Sequence, residues 1–351
     1  MKVLVIGTDL TSNGGIASVV RTFNSVAKSN NVEYSLLKTT NYKHSNFLVN
    51  QLLFIKALFK FFSMVRNVDL VHLQGSSHGS FYRKSVFLLL SKAINKPVIW
   101  NFHASRFEEF FLNKTGIQKN LIGWLLGKAN SIVVLSNILR INLQEHYKID
   151  NVTSLRNPVE PRNLSHSNLL DRHTDLSSLK VLFLGFFLKN KGVLDLLEAA
   201  ENIADKNIEF LFAGTGELES AIEEATKKPQ LTIKNLGWLD SDEKYSAISS
   251  SDILVLPSYR EGMPIVILEA MSLGVPVIST NIAAIPELIQ HDVNGYLLEP
   301  GDIDALSEGI RKMKCPVVRK KYSSLSFDKV KNYYPDAVFK DLKEIYEEVI
   351  R

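Results

Sequence analysis

Short apolar runs alternate along the chain with segments whose apolar positions recur at helical spacing. The first half opens on KVLVIG (2–7), followed by a helix from Ile16, VEYSLLK (32–38), a helix near 47–65, VDLVHLQ (68–74), a helix over 81–94 and PVIWNFH (97–103). The second half runs KVLFLG (180–185), a helix over 193–204, IEFLFAG (208–214), a helix over 217–226, LTIKNLG (231–237) and DILVLPS (252–258). After another helix come VPVIST (275–280) and GYLLEP (295–300). Such alternation predicts the α/β class, with parallel sheets covered by helices on both faces. Between the halves, residues 157–178 are polar, contain two prolines and lack an apolar period, which predicts a linker. The expected division is therefore 1–160, 161–330 and a helical closing segment, 331–351, and 351 residues suffice for two separate cores.

The two halves share an opening. KVLVIGTDLTSNGG (2–15) aligns without gaps on KVLFLGFFLKNKGV (180–193), placing Gly7 over Gly185 and Gly14 over Gly192. Each is a first strand, a turn and a glycine just before a helix. Ligands of parallel sheets bind outside the carboxyl ends of the strands, so both turns are expected to border a binding site. Backbone N–H groups at a glycine-opened helix start suit phosphate oxygens; alternatively, Gly14, Gly15 and Gly192 only shape tight turns. Other phosphate-binding signatures are absent. GTGELE (214–219) has glutamate where a dinucleotide fingerprint needs its third glycine, and GWLLGKA (123–129) is one residue short of a P-loop and ends in alanine.

One stretch poses a sharper question. Between Glu261 and Glu287 the chain has a single charged residue, Glu269, in the apolar run EGMPIVILEAMSLG (261–274). Pro264 suits the first turn of a helix that Gly274 can end. Glu261 then sits in a loop at a strand's carboxyl end, and Glu269 about one and a half turns into the helix, beside Ile265, Val266, Ser272 and Leu273. A buried, unpaired carboxylate costs several kcal/mol, so the expectation is that ligand hydroxyls come to it. The alternative is a solvated glutamate on an outer helix face.

PSYREGMPIVILEAMSLGVPVIST (257–280), with its two glutamates eight positions apart, resembles the donor-site signature of retaining glycosyltransferases of family 4. These have the GT-B fold, two facing Rossmann-like domains with a cleft between them. The resemblance extends over essentially the whole chain: Gly14 and Gly15, NFH ending at His103, VVLS ending at Ser136, RNPV (156–159), FLG with KG (191–192), GTGE (214–217) and IPELIQHDVNGYLLEPGD (285–302). It implies transfer of a sugar from a nucleotide diphosphate sugar to an acceptor hydroxyl with retained anomeric configuration. By the same resemblance Glu269 holds the ribose, Glu261 holds the donor sugar, and backbone groups of Gly262, Met263, Pro264 and Ile265 meet sugar and phosphates. Gly214, Gly216 and Leu239 border the base. Lys191, with Gly15 and Gly192, sits at the diphosphate, where charge develops as the glycosidic bond breaks. No metal or other cofactor is then required.

His103 is expected beside the donor sugar, and Gly14 and Arg106 on the acceptor side. In the front-face mechanism implied for such enzymes a donor phosphate oxygen takes the acceptor proton, so no side-chain base is required and a catalytic Glu261 need not be a nucleophile. Members of the family usually follow the glycine of FLG with an arginine; this chain has Phe186, which leaves Lys189 or Arg106 as substitute cations. The last segment, Tyr333 to Ile350, is expected to cross back onto the first domain. Closure of the domains on the donor is expected too.

Charge adds a partner to this picture. Overall 41 basic residues face 37 acidic ones, but residues 1–157 hold 19 lysines and arginines against 7 aspartates and glutamates, a net of +12, and the remainder is net −8. A basic first half attracts phosphates or an anionic membrane surface. FLVNQLLFIKALFKFFSMVRN (47–67) and FYRKSVFLLLSKAINK (81–96) read either as core helices with lysines at a solvent edge or as interfacial helices. In resembling enzymes of surface polysaccharide synthesis, such as capsule or lipopolysaccharide, the acceptor is often lipid-linked, and a lipid-linked saccharide is the expected acceptor here. Nucleic acid is not an expected partner, because neither an aromatic-interleaved basic stripe nor a zinc motif is present. MKVLVIGTD enters a strand directly from Met1, and Cys315 is the only cysteine. A cytoplasmic protein without an internal disulfide, at most peripheral to the inner face of the membrane, is expected. The competing functions are an epimerase or phosphorylase on the same fold, and a catalytically silent nucleotide-sugar-binding subunit.

Overall fold

The computed structural model of the protein describes residues 1–10, 15–40, 47–75, 78–102, 114–161 and 178–351. The chain divides into two compact units, Met1–Pro158 with Pro335–Arg351, and Val159–Tyr334. Residues 331–334, expected with the closing segment, stay with the second unit, where the Val159 N–H donates to the Tyr333 carbonyl at 2.9 Å.

The first unit is a six-stranded parallel sheet of β1 (Lys2–Thr8), β2 (Glu33–Thr40), β3 (Leu70–Gly75), β4 (Val98–Phe102), β5 (Ser131–Val134) and β6 (Val152–Ser154), in the order β2-β1-β3-β4-β5-β6. The apolar runs of β3, β4 and β5 are buried on both faces, as a helix-covered parallel sheet requires. Strand alternation sends Leu4, Ile6, Val71, Leu73 and Trp100 into one cluster. Phe61, Phe87, Leu126 and Leu143 meet them there from the helices Phe47–Val65, Gly79–Ala93, Gly116–Gly127 and Asn137–Tyr147.

The other face packs against the helices Gly15–Ala27 and Pro335–Ile350, with Phe23 edge-on to Phe339 at 6.0 Å. The last helix is tied down by a buried polar chain: the Tyr346 hydroxyl bonds His72 Nδ1 at 2.6 Å and the Tyr34 hydroxyl at 2.8 Å, and Gln74 reaches His72 Nε2 at 3.0 Å. Burial holds both phenols protonated well above their ordinary range.

The second unit is again six parallel strands: β7 (Leu179–Leu184), β8 (Ile208–Ala213), β9 (Thr232–Gly237), β10 (Ile253–Leu256), β11 (Val277–Thr280) and β12 (Tyr296–Leu298). Their order is β12-β11-β10-β7-β8-β9. The aligned openings end alike, for Gly15 and Val193, matched in the alignment, each begin a helix. The two units nevertheless extend differently: β3 pairs with β1 in the first, whereas β9 continues outward from β8 in the second.

Lys84, in the helix Gly79–Ala93, is buried beneath the carboxyl end of β1. Its Nζ donates to Thr39 Oγ1, which itself donates to the Gly7 carbonyl at 3.1 Å. Burial, with a lesser contribution from the adjacent Arg83 charge, pulls its pKa from 10.5 to about 7.

Two predictions follow from these buried polar groups. Between pH 7 and 10.5 the unfolded chain binds the Lys84 proton more tightly than the native one, so this group makes stability rise with pH through that window. Urea unfolding at pH 7 and pH 9 should show the rise in the natural protein relative to Lys84→Met, by at most about 1.4 kcal/mol per pH unit. Tyr346→Phe, which leaves Tyr34 and His72 short of a partner, should lower stability by about 1–3 kcal/mol in the same assay.

Candidate functional site

In the second unit the chain passes from β7 outward through β8 and β9 and then returns to β10 on the other side of β7. That reversal opens a crevice at the carboxyl ends of β7 and β10, the place where such sheets bind ligands. Two of the expected residues meet there. Lys191, in the turn Lys189–Lys191 after β7, donates from Nζ to Glu261 Oε1 at 2.7 Å, and Ser258 Oγ donates to the same oxygen at 2.8 Å. Both charged side chains are largely enclosed, while Glu261 Oε2 accepts no hydrogen bond among the described residues. The carboxylate is thus held from one side and keeps acceptor capacity on the other.

Backbone packing joins these turns. Gly192 has φ +70°, and a Cβ there would lie 2.0 Å from the Pro257 carbonyl oxygen, so only glycine fits on both counts. The Tyr259 N–H donates to the Asn190 carbonyl at 2.9 Å. From β11, Thr280 Oγ1 and Ser279 Oγ bond the carbonyls of Ser258 and Leu256 at 2.6 and 2.7 Å. The role the structure shows for Gly192 is therefore close packing of the two turns.

Glu261 leads into the helix Ile265–Ser272, which has Pro264 at its N-cap; Met263 and Pro264 are buried, and Gly262 and Ile265 are partly exposed. The first N–H groups of this helix have no intrahelical acceptor and give its start a partial positive charge, directly beside the Lys191–Glu261 pair in sequence and on the same strand edge.

Glu269 is buried, 5% exposed, and it is not unpaired. Lys244 Nζ donates to its Oε1 at 2.5 Å and the Tyr245 hydroxyl does so at 3.2 Å. The expectation that only ligand hydroxyls answer this carboxylate is corrected: a cation from the neighbouring helix Ser241–Ser250 does. The helix start is legible, because Asp240 caps it by accepting from the N–H groups of Asp242 and Glu243. Nothing local pairs Lys244 with a residue 25 positions away.

Further along the same strand edge, Gly214 and Gly216 adopt φ of +148° and +158°, and a Cβ on either would run into the backbone of Gly185 or Phe187. They let the turn after β8 pack on the turn after β7. Phe186, in the position of the expected arginine, is half-exposed and lies against Trp238 with ring centroids 5.7 Å apart. Leu239 follows, partly buried. Sequence reasoning did not single out Trp238, Ser258, Lys244 or Tyr245. In the first unit Gly15 starts the helix Gly15–Ala27 and is exposed, whereas Gly14, His103 and Arg106 lie outside the described residues. That unit also has a cavity of ≈ 450 Å³ at the ends of β1 and β2, lined by Val20, Leu36 and Leu53 with Lys38, Lys56 and Lys60.

The Glu269 pairing makes a graded prediction. Lys244→Met should lower stability by about 1–3 kcal/mol, less than for a fully enclosed pair because Lys244 is about a quarter exposed. Tyr245→Phe should cost under about 1 kcal/mol. Equal losses in urea unfolding would contradict a charge held chiefly by the lysine.

Residues 178–314 match the family described as glycosyl transferases group 1. An uncharacterized glycosyltransferase of Methanocaldococcus jannaschii is 26% identical over 329 residues, 89% of this chain and 88% of that protein. The amylovoran biosynthesis glycosyltransferase AmsK of Erwinia amylovora is 32% identical over 167 residues, 45% of this chain and 40% of its own. The chain spans about half the length of most of the curated relatives it matches. Among solved structures, sucrose-phosphate synthase from Thermosynechococcus elongatus superposes with a TM-score of 0.80 at 15% identity, covering 99% of this chain and 98% of that one. Anabaena HepE in complex with UDP-glucose does so with 0.71 at 15%, covering 99% and 100%. Residues 178–314 are thus similar to the group 1 glycosyl transferases, and the two parallel-sheet units have the α/β fold of GT-B glycosyltransferase structures.

Proposed function

We propose that the protein transfers a sugar, with retention, from a nucleotide diphosphate sugar to a hydroxyl of a lipid-linked saccharide in the synthesis of a bacterial surface polysaccharide. The Lys191–Glu261 pair at the reversal between β7 and β10 is the observation on which this reading rests. Lys191 and the start of the helix Ile265–Ser272 offer positive charge to the diphosphate, and the open side of Glu261 accepts donor-sugar hydroxyls. HepE, which shares the fold, was solved with UDP-glucose, and the Erwinia relative is an amylovoran biosynthesis glycosyltransferase, which supports donor class and context.

In the proposed reaction the bond from the anomeric carbon to the diphosphate oxygen breaks and a bond from the acceptor oxygen to that carbon forms on the same face. The acceptor proton passes to a phosphate oxygen of the departing diphosphate. Negative charge grows on that group, and Lys191 lowers the barrier in proportion to its closeness. Glu261, held by Lys191 and Ser258, positions the sugar and is not the nucleophile. Neutralisation of the diphosphate is assigned to Lys191 and the helix start without a metal, with Lys189 and Arg106 as substitutes for the arginine replaced by Phe186. His103 is assigned to the donor sugar, Glu269 to the ribose and Gly14 to the acceptor side. The cavity of the first unit, where Lys56 and Lys60 stand beside a Lys38–Asp9 ion pair, supports an acceptor bearing phosphate.

A second reading, a subunit that binds the nucleotide sugar without turnover, is favoured by Phe186 alone.

A thermal-shift screen of nucleotide sugars should find one that stabilises the protein by about 2.7 kcal/mol at a hundred times its dissociation constant. With that donor, Lys191→Ala should lower kcat/KM roughly 100-fold, and Glu261→Ala at least about tenfold. NMR of the product should show the donor's anomeric configuration. Full transfer by Glu261→Ala would overturn the residue roles, and binding without transfer to a verified acceptor would favour the silent subunit.

A further inference from the structure

Because the strands run β2 to β6 in one direction across the first sheet, apart from the opening step, right-handed crossovers put their connecting helices on one face. The four helices Phe47–Val65, Gly79–Ala93, Gly116–Gly127 and Asn137–Tyr147 do share one core cluster. A helix in such a layer normally turns a polar side to water. These do not. Phe47–Val65 exposes Leu52, Ile55, Phe59 and Phe62, spaced to form one stripe, with Phe59 78% exposed. Gly79–Ala93 exposes Tyr82, Val86 and Leu89 at the same kind of spacing. Gly116–Gly127 exposes Ile117 (85%), Leu121 and Trp124 (52%). Contiguous apolar surface on this scale marks an interaction face.

The polar residues of the layer share one sign. Across the four helices a single acidic residue, Glu145, stands against six lysines and arginines besides the buried Lys84. The ammonium groups of Lys56 and Lys60 flank the first stripe and make no ion pair or hydrogen bond among the described residues, and Lys128 lies 5.2 Å over the Trp124 ring. No helix among the described residues is long and apolar enough to cross a membrane. Apolar stripes edged by unpaired lysines suit the boundary between anionic headgroups and acyl chains. A second copy suits the face poorly, because pairing would bring two basic surfaces together.

We propose that the outer side of this four-helix layer rests on an anionic lipid bilayer, with Phe59, Phe62, Ile117 and Trp124 at the headgroup boundary and the basic side chains among the lipid phosphates. This deepens the lipid-linked acceptor reading by naming the surface that meets the membrane. It rests on that reading for its purpose, but its observations all lie in the first unit and need no donor chemistry.

Flotation of the full chain with vesicles of phosphatidylcholine, with and without phosphatidylglycerol, tests it. The natural protein should float with the anionic vesicles, and less as salt rises. Phe59→Ser/Trp124→Ser and Lys119→Glu/Lys128→Glu should each lower partitioning about tenfold or more, with melting temperature and nucleotide-sugar shift unchanged. In a Trp238→Phe background, where the other remaining tryptophan, Trp100, is fully buried, the emission should shift to the blue on vesicle addition, and the shift should be lost with Trp124→Phe. Failure of the natural protein to float, flotation indifferent to Phe59→Ser/Trp124→Ser, or a dimer abolished by those substitutions would each overturn the inference. Nucleotide-sugar binding by a protein that does not float sinks this inference alone; flotation without any such binding sinks only the proposed donor chemistry.

Discussion

An ion pair joins two turns that are 70 residues apart in sequence, and the geometry of the site depends on it. Lys191 and Glu261 are both largely enclosed, where either alone would bear an uncompensated charge. Their meeting requires the turns after β7 and β10 to pack backbone against backbone, which is possible because residue 192 has no side chain. The same contact fixes where the helix Ile265–Ser272 begins and hence where its free N–H groups lie. Strand order, glycine and ion pair are thus one arrangement seen at three scales.

Glu269 repeats the solution one helix away. Each of the two glutamates is paired with a lysine, Lys191 in one case and Lys244 in the other. Paired, they present nearly neutral groups that retain acceptor oxygens. Buried pairing of this kind contributes little to net stability, and its value lies in holding acceptors at fixed positions.

The two units use a shared plan for different surroundings. The aligned openings build a first strand and helix in both, but the helical layer of the first unit faces outward with apolar and basic side chains. Exposed large apolar residues are sparser in the second unit, where Phe186 and Trp238 lie together at the carboxyl edge of the sheet. The charge asymmetry between the halves follows this division, since residues 1–157 are net +12 and the remainder net −8.

Much of the architecture was legible because parallel strands buried on both faces read as continuous apolar runs, and the turns between them as glycines. β5 and β6 were missed as elements, being only four and three residues long, too short for a periodic signal. Glu261 and Glu269 stood out for a local reason: a charge in an apolar run is anomalous wherever it folds. Their partners did not, since Lys191 and Lys244 are ordinary residues until strand order and helix packing bring them within hydrogen-bond distance. The apolar stripes show the same division. Composition alone left the helix Phe47–Val65 open between a core and an interfacial role, because one apolar pattern serves both; which residues face outward depends on the sheet's occupation of the other side. The sequence by itself determined element type, the repeated opening and the anomalous carboxylates, all short-range properties of the chain. Tertiary structure alone decided which charges neutralise one another and which apolar side chains remain in water, because both depend on contacts between residues far apart in sequence.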